Sequence, residues 1–350
     1  MSFVGQWENR LLAILDHARR KDHVLYFDDV LGLFHAGVSR DASLSVADVL
    51  KPVLQRRKVR VVGEMTEEQW QTLQQRDRGL ADCFHVVRVP AASSDEARRL
   101  LLALRRQLED RHRCEFAVDV VPTVVALHER FVRDGALPGT AARFLQRTAA
   151  RYERERLDRN AIYVEFATHS GLAPMLVDPH IRLLRPSVLL RLRSRVVGQV
   201  EALEALADVV MTTKAQLNSP DRPLGVFLMV GPTGVGKTET AKALAELLFN
   251  DEQRLLRFDM NEFVTPSAVA RLVGTWDEPE GLLTSAVRQQ PFAVILLDEI
   301  EKAHPDLFDL LLQITGEGRL TDALGRTADF SHTVVLMTSN LAADEARRRL

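Results

Sequence analysis

Short apolar runs alternate with helical stripes at both ends of the chain, and a purely helical stretch separates them. After a polar opening, Leu11, Ile14, Leu15 and Ala18 fall on one helical face. Val24-Leu25-Tyr26-Phe27 follows with the pattern of a buried strand and closes on Asp28-Asp29. Val59-Arg60-Val61-Val62-Gly63 and His85-Val86-Val87-Arg88-Val89-Pro90 read as two more short strands. The pattern then changes. Ser93-Ser94-Asp95-Glu96 is a helix start with acids in its first turn, and Leu100, Leu101, Leu104 and Leu108 follow on one face. Helices are predicted over 120–133 and 140–156, separated by Gly135 and Pro138-Gly139. Residues 157–195 read as a connection punctuated by Gly171, Pro174, Pro179 and Pro186, with a charged helical segment over 181–195.

A second alternating unit begins there. A helix over 201–217 leads through a turn-rich stretch to Val226-Phe227-Leu228-Met229-Val230, an apolar run of strand length. Ala241, Leu244, Ala245 and Leu248 then recur at helical spacing. Between strand and helix lies Gly231-Pro232-Thr233-Gly234-Val235-Gly236-Lys237-Thr238, which fits G-x-x-x-x-G-K-[ST] at every fixed position. A triphosphate needs closely spaced backbone N–H donors, and glycines let the backbone curl around it. Lys237 would reach the β- and γ-phosphates, and the Thr238 hydroxyl would ligate Mg²⁺. Strand, loop and helix N-terminus together make an anion site.

Phe292-Ala293-Val294-Ile295-Leu296-Leu297 is a fully apolar strand ending in Asp298-Glu299. Downstream of a complete phosphate loop, this fits the metal-and-water element of a nucleotide hydrolase: Asp298 would support Mg²⁺, and Glu299 would polarise the attacking water. Val334-Val335-Leu336-Met337 ends in Thr338-Ser339-Asn340. The Asn340 amide could touch the γ-phosphate or the water; by itself such a residue is more often a turn residue. The acids Asp28-Asp29 admit two readings, a second phosphate-site element or a strand end capped by solvated acids.

Composition adds mostly exclusions. With 46% hydrophobic and 27% charged residues, the chain can build a sizeable core. The formal charge of −2 asks for neither nucleic acid nor an anionic membrane. Cys83 and Cys114 have no metal-like spacing, no apolar run reaches membrane-spanning length, and the first residues lack a signal-peptide pattern. The expected compartment is the cytoplasm.

These residues carry a resemblance. Arg195-Val196-Val197-Gly198-Gln199, the loop 231–238, Phe258-Asp259-Met260-Asn261-Glu262-Phe263, the run 295–305, Gly318-Arg319-Leu320-Thr321-Asp322, Gly325-Arg326-Thr327-Ala328-Asp329-Phe330 and Thr338-Ser339-Asn340 resemble the second ATPase module of Clp-type AAA+ unfoldases, the ClpA/ClpB/ClpC group. The resemblance implies an α/β P-loop AAA+ parallel sheet flanked by helices, with Val196 and Val197 bordering the adenine, Glu299 as hydrolytic glutamate and Asn340 as first sensor. It further implies ATP and Mg²⁺ as cofactors, a polypeptide substrate, and a hexameric ring of identical subunits. The earlier part is similar to the first module of the same proteins, entered midway. Phe3-Val4-Gly5 stands at the pore-loop position and residues 25–29 at the metal-and-water strand; Lys51-Pro52, Gly63-Glu64-Met65-Thr66 and Leu137-Pro138 also match. The implied division is a partial first module over 1–91, its helical lid over 92–158, a linker over 159–193 and the second module over 194–350.

The departures set the remaining expectations. The first module shows no phosphate loop, has Asp29 at its glutamate position, Asp82-Cys83 where paired arginines are usual, and Gly139-Thr140 where an Asp-Lys pair usually follows the lid proline. It is therefore expected not to turn over ATP. Gly274-Thr275-Trp276-Asp277-Glu278-Pro279-Glu280-Gly281 replaces the longer segment bearing the second pore tip, and no room is left near 156–162 for a coiled-coil middle domain. With no arginine finger or second lid after Asn340, the 350-residue chain alone is expected to bind Mg·ATP, hydrolyse it slowly and form no stable ring. The rival expectation is a non-hydrolysing, nucleotide-dependent scaffold or regulator.

Overall fold

The computed structural model describes residues 6–38, 44–133, 135–275 and 278–340. The chain divides into two compact units: Met1–Val89 with Thr275–Pro279 and Thr321–Thr327, and the remainder.

In the first unit, α1 (Gln6–Lys21) buries Leu15 and Ala18 but leaves Ile14 exposed. β1 (Val24–Phe27) pairs in parallel with β2 (Arg60–Gly63), Val24 opposite Arg60 and Phe27 opposite Gly63. The expectation of a buried β1 is corrected: Val24 and Tyr26 are exposed, and only Leu25 and Phe27 pack on the core. A continuous apolar run marks burial on both faces only where both faces are covered. Between these strands, α2 (Val46–Gln55) opens on a capping box formed by Ser45 and Asp48. α3 (Glu67–Arg76) opens on another, formed by Thr66 and Gln69, and the single turn α4 (Arg78–Ala81) follows. Val30, Leu31, Leu50, Leu73 and Leu80 form the core. The strand expected over 85–90 is absent, and Val86, Val87 and Val89 lie exposed without a regular element. β-branched residues make a strand only where a neighbour can pair with them and a face can be buried.

The second unit begins with α5 (Ser94–His112), capped by Ser93 and Glu96 as read from the sequence. β3 (Glu115–Phe116), α6 (Val120–Phe131) and α7 (Gly139–Arg151) follow. α7 stops short of its expected end because β4 (Arg156–Leu157) leaves to pair in parallel with β3. The stretch read as a connection contains α8 (Arg159–Ser170), α9 (Pro174–Val177) and α10 (Arg185–Arg193). Ile162, Phe166, Leu176 and Val188 bury themselves there, so its prolines punctuate packed helices: Pro174 and Pro186 both sit in first turns, where no N–H is missed.

α11 (Val200–Ala215) leads to β5 (Gly225–Val230) and α12 (Lys237–Phe249). Then come β6 (Leu255–Asp259), α13 (Pro266–Val273), α14 (Leu282–Gln289), β7 (Val294–Asp298) and α15 (Asp306–Glu317). β8 (Arg319–Thr321) and β9 (Thr327–Asp329) pair with each other, and β10 (Val334–Ser339) follows. β5, β10, β7 and β6 form, in that order, an all-parallel sheet flanked by helices, the expected α/β class. Ala241, Leu244, Ala245 and Leu248 are fully buried, so the stripe read from the sequence is the face that seats α12. Because β10 lies between β5 and β7, Ser339 sits opposite Val230, and Asp259 of β6 sits opposite Asp298 of β7. The carboxyl ends of these strands, where ligands of open α/β sheets bind, thus converge on the glycine loop.

Candidate functional site

The loop 231–238 leaves β5 and closes on the first residues of α12. Gly234 and Gly236 hold φ of +87° and +96°, values a side chain would strain, and a Cβ at Gly234 would point into open space. A Cβ at Gly236 would stand 3.9 Å from Val196 Cγ1, so buried Val196 backs the loop. Its neighbour Val197 is almost wholly exposed, and Gln199 Nε2 donates to Val235 O at 3.2 Å. A cavity of about 300 Å³ lies beside the loop, lined by Gln199, Ala202, Leu206, Val235, Lys237 and Thr240 among others.

Lys237 Nζ donates to Gly231 O at 2.5 Å, Ser339 O at 3.2 Å and Asn340 Oδ1 at 2.6 Å. Asn340 Nδ2 donates to Glu299 Oε1 at 3.0 Å, and Asn261 Nδ2 to Glu299 Oε2 at 2.9 Å. Lys237, Asn340 and Glu299 therefore form one hydrogen-bonded chain from α12 to the ends of β10 and β7. Glu299 has φ +56°, a left-handed conformation uncommon for glutamate and costly wherever it persists. Its N–H donates to Thr338 Oγ1 at 3.0 Å, which pins the bend.

Asp298 accepts from Thr338 Oγ1 at 2.5 Å and from Arg257 Nη2 at 2.6 Å, one donor to each oxygen. Glu301 accepts the Asn340 N–H at 3.0 Å. Burial alone would raise the Glu301 pKa, but the donors from Asn340, its own backbone and Ser339 outweigh it and hold the carboxyl below its ordinary value. Asp259 is likewise held low, by the backbone and side chain of Asn261. On the outer side, the Arg195 guanidinium meets Glu239 and Glu246 at 2.5 Å and Glu252 at 2.6 Å. These hydrogen bonds raise its pKa and tie the Val196-Val197 turn to α12.

The structure thus brings Gly231, Gly234, Gly236, Lys237, Asp298, Glu299 and Asn340 together, with Val196 against the loop. Pro232, Thr233, Val235 and Thr238 lie in the loop or at the first turn of α12. Arg257, Asn261, Glu301 and Thr338 share the site without having been singled out. Arg257 was legible as a lone cation inside Leu255-Leu256-Arg257-Phe258-Asp259, and Thr338 as the polar turn beside Asn340. The residues suit Mg·ATP: the glycine cradle has room for phosphate oxygens, Lys237 supplies the cation, and each Asp298 oxygen keeps a lone pair for a metal-bound water. No cluster of three or more metal-ligating side chains occurs among the described residues. At the end of β1, Asp29 Oδ1 accepts the Gly32 N–H at 2.9 Å, a local turn cap. Phe3-Val4-Gly5 and Trp276 lie outside the described residues.

Comparison with known proteins agrees with this architecture. Residues 222–349 match the family model "AAA domain (Cdc48 subfamily)". The Bacillus subtilis negative regulator of genetic competence ClpC/MecB is 32% identical over 415 residues, covering 98% of this chain and 51% of that protein. The ClpA homolog protein of Fuscovulum blasticum is 34% identical over 361 residues, covering 99% and 45%. The structure titled "S. cerevisiae Hsp104-ADP complex" superposes with a TM-score of 0.69 at 28% identity, over 99% of this chain and 61% of that one. The chain spans about half the length of the curated relatives it matches. The fold and loop define a P-loop AAA+ module. Within that class, the similarity along nearly the whole chain supports a Clp-type AAA+ ATPase.

Proposed function

We propose that the chain binds Mg·ATP on the loop 231–238 and that any hydrolysis occurs in this second module, with Glu299 acting on the attacking water and Asn340 sensing the γ-phosphate. The observation that carries the reading is the chain Lys237–Asn340–Glu299. A γ-phosphate entering the loop would compete for the Lys237 ammonium and for the Asn340 amide, so its arrival would be felt directly at Glu299. Thr238 and Asp298 would hold Mg²⁺, and Val196 and Val197 would border the base. Bound Mg²⁺ would neutralise charge on the transferred phosphoryl group. The Clp relatives, some named as protease ATP-binding subunits, and Hsp104 solved with ATPγS and FITC casein support a polypeptide substrate. The shorter Asp29 at the position of the hydrolytic glutamate supports a first module that takes no part in hydrolysis.

A fluorescent ATP analogue and a phosphate-release assay test the reading. The parent chain should bind the analogue with Mg²⁺, and Lys237→Ala should abolish binding. Unchanged affinity in the variant would sink the site. Binding and nucleotide-dependent assembly without any phosphate release would favour the scaffold or regulator reading.

A further inference from the structure

A second cavity, about 430 Å³, is bounded by α6, α7 and α8 and by the segments that enter β6, β7 and β10. It lies at the amino ends of the sheet strands, away from the glycine loop. Its mouth is cationic. Arg143 and Arg147 on α7 are exposed, and Arg254 ahead of β6 is half-buried; none has a carboxylate partner among the described residues. Arg147 instead donates to His169 Nε2 at 2.8 Å, which needs that ring neutral; burial and then the arginine itself keep its pKa low. Arg133 is already paired with Asp221, and among the described residues Asp329 is the one acid in the lining.

The floor is aromatic. Phe144 and Phe166 stand 5.8 Å apart, and His332 stacks on Phe292 at 5.0 Å. Within it, His332 Nε2 and Thr140 Oγ1 are sealed from solvent without a hydrogen-bond partner. Neighbouring guanidiniums without counter-charge repel one another, and buried polar atoms without partners are rare in folded proteins. An occupant with an anionic head and a flat apolar body would relieve both.

We propose that this cavity is a binding site for a small phosphate-bearing aromatic molecule. Arg143, Arg147 and Arg254 hold the phosphate, the ring lies among the phenylalanines, and His332 or Thr140 receives a polar substituent or bridging water. The site is independent of the nucleotide loop in residues and in location.

The test is calorimetric titration of phenyl phosphate into the full chain carrying Lys237→Ala, with inorganic phosphate as comparator. Phenyl phosphate should bind saturably and at least about 10-fold more tightly than phosphate, with the same affinity in the parent chain. Arg147→Ala and Arg254→Ala should each weaken it by about 10-fold. Arg147→Lys and Arg254→Lys, which keep the charge but lose the planar fork, should fall between. The His332 ring resonances should move on binding, a readout local to this cavity that a fault in the nucleotide-site assignment would not imitate. Absence of saturable binding, loss through Lys237→Ala alone, indifference to the arginines or a silent His332 would each overturn the proposal. Equal affinity for phosphate and phenyl phosphate would overturn the aromatic class.

Discussion

Glu299 shows how much of this site is decided by single atoms. Its carboxylate takes amide donors from Asn261 and Asn340, and its backbone is held left-handed by Thr338. Glu299→Gln keeps the shape but removes the basic oxygen. Nucleotide should therefore still bind, while any turnover falls by roughly 10²–10⁴. Equal phosphate release from variant and parent would show that another group activates water. His332 makes a different prediction at the same scale. Burial lowers its pKa to about 4, against the contrary pull of Asp329 and with help from Arg133 and Arg130. An unfolded histidine titrates near 6.5, so the unfolded chain binds the proton more readily. The contribution of the neutral ring is present in full above about pH 6.5 and is lost as pH falls toward about 4. Thermal midpoints should drop over that window, and His332→Phe should flatten the drop. An unchanged slope would mean that His332 does not control it.

At the scale of elements, α12 is seated by a fully buried apolar face. Leu244 is fully buried on the face that seats the helix against the sheet. Leu244→Ala should cost about 2–5 kcal/mol and loosen the loop that the helix anchors, measured as denaturant midpoint and nucleotide affinity together. A cost well below 1 kcal/mol would mean that the helix is not held by that face. Ser45→Ala, which removes a capping box in the first unit, should cost about 1 kcal/mol without changing nucleotide affinity. α5 and α12 were readable because local chemistry specifies them: a periodic apolar stripe, the capping Ser93, glycines where φ must be positive. The elements misread were those decided by partners. Val86, Val87 and Val89 have strand chemistry but no pairing strand, and Tyr26 belongs to an apolar run yet stands exposed. Over 157–180 the connection looked irregular because proline marks both a loop and the first turn of a helix, whereas the helical reading of 181–195 holds as α10. In the site, the loop and the two acidic strand ends were legible as motifs. The clamps on Asp298 and Glu299 were not, since Arg257 and Asn261 reach them only through the pairing of β6 with β7.

At the scale of the whole molecule, every residue assigned to the nucleotide falls in the second compact unit. Among the described residues of the first unit, the end of β1 carries Asp29, which caps a turn. A ligand stabilises whatever folded structure binds it, by an amount set by its concentration relative to Kd, about 2.7 kcal/mol at 100-fold Kd. Mg·ATP should therefore slow amide hydrogen exchange in β5, α12, β7 and β10 and leave β1, α2 and β2 nearly unchanged. Calorimetry should show an upward shift of the transition belonging to the second unit, and Lys237→Ala should remove both effects. The exchange pattern decides the matter because it locates the stabilisation, which a change in total stability alone would not. Equal protection in both units would show that nucleotide binding is communicated through the whole chain. Protection confined to β1 and β2 would place the site in the first unit and overturn the assignment to the loop 231–238.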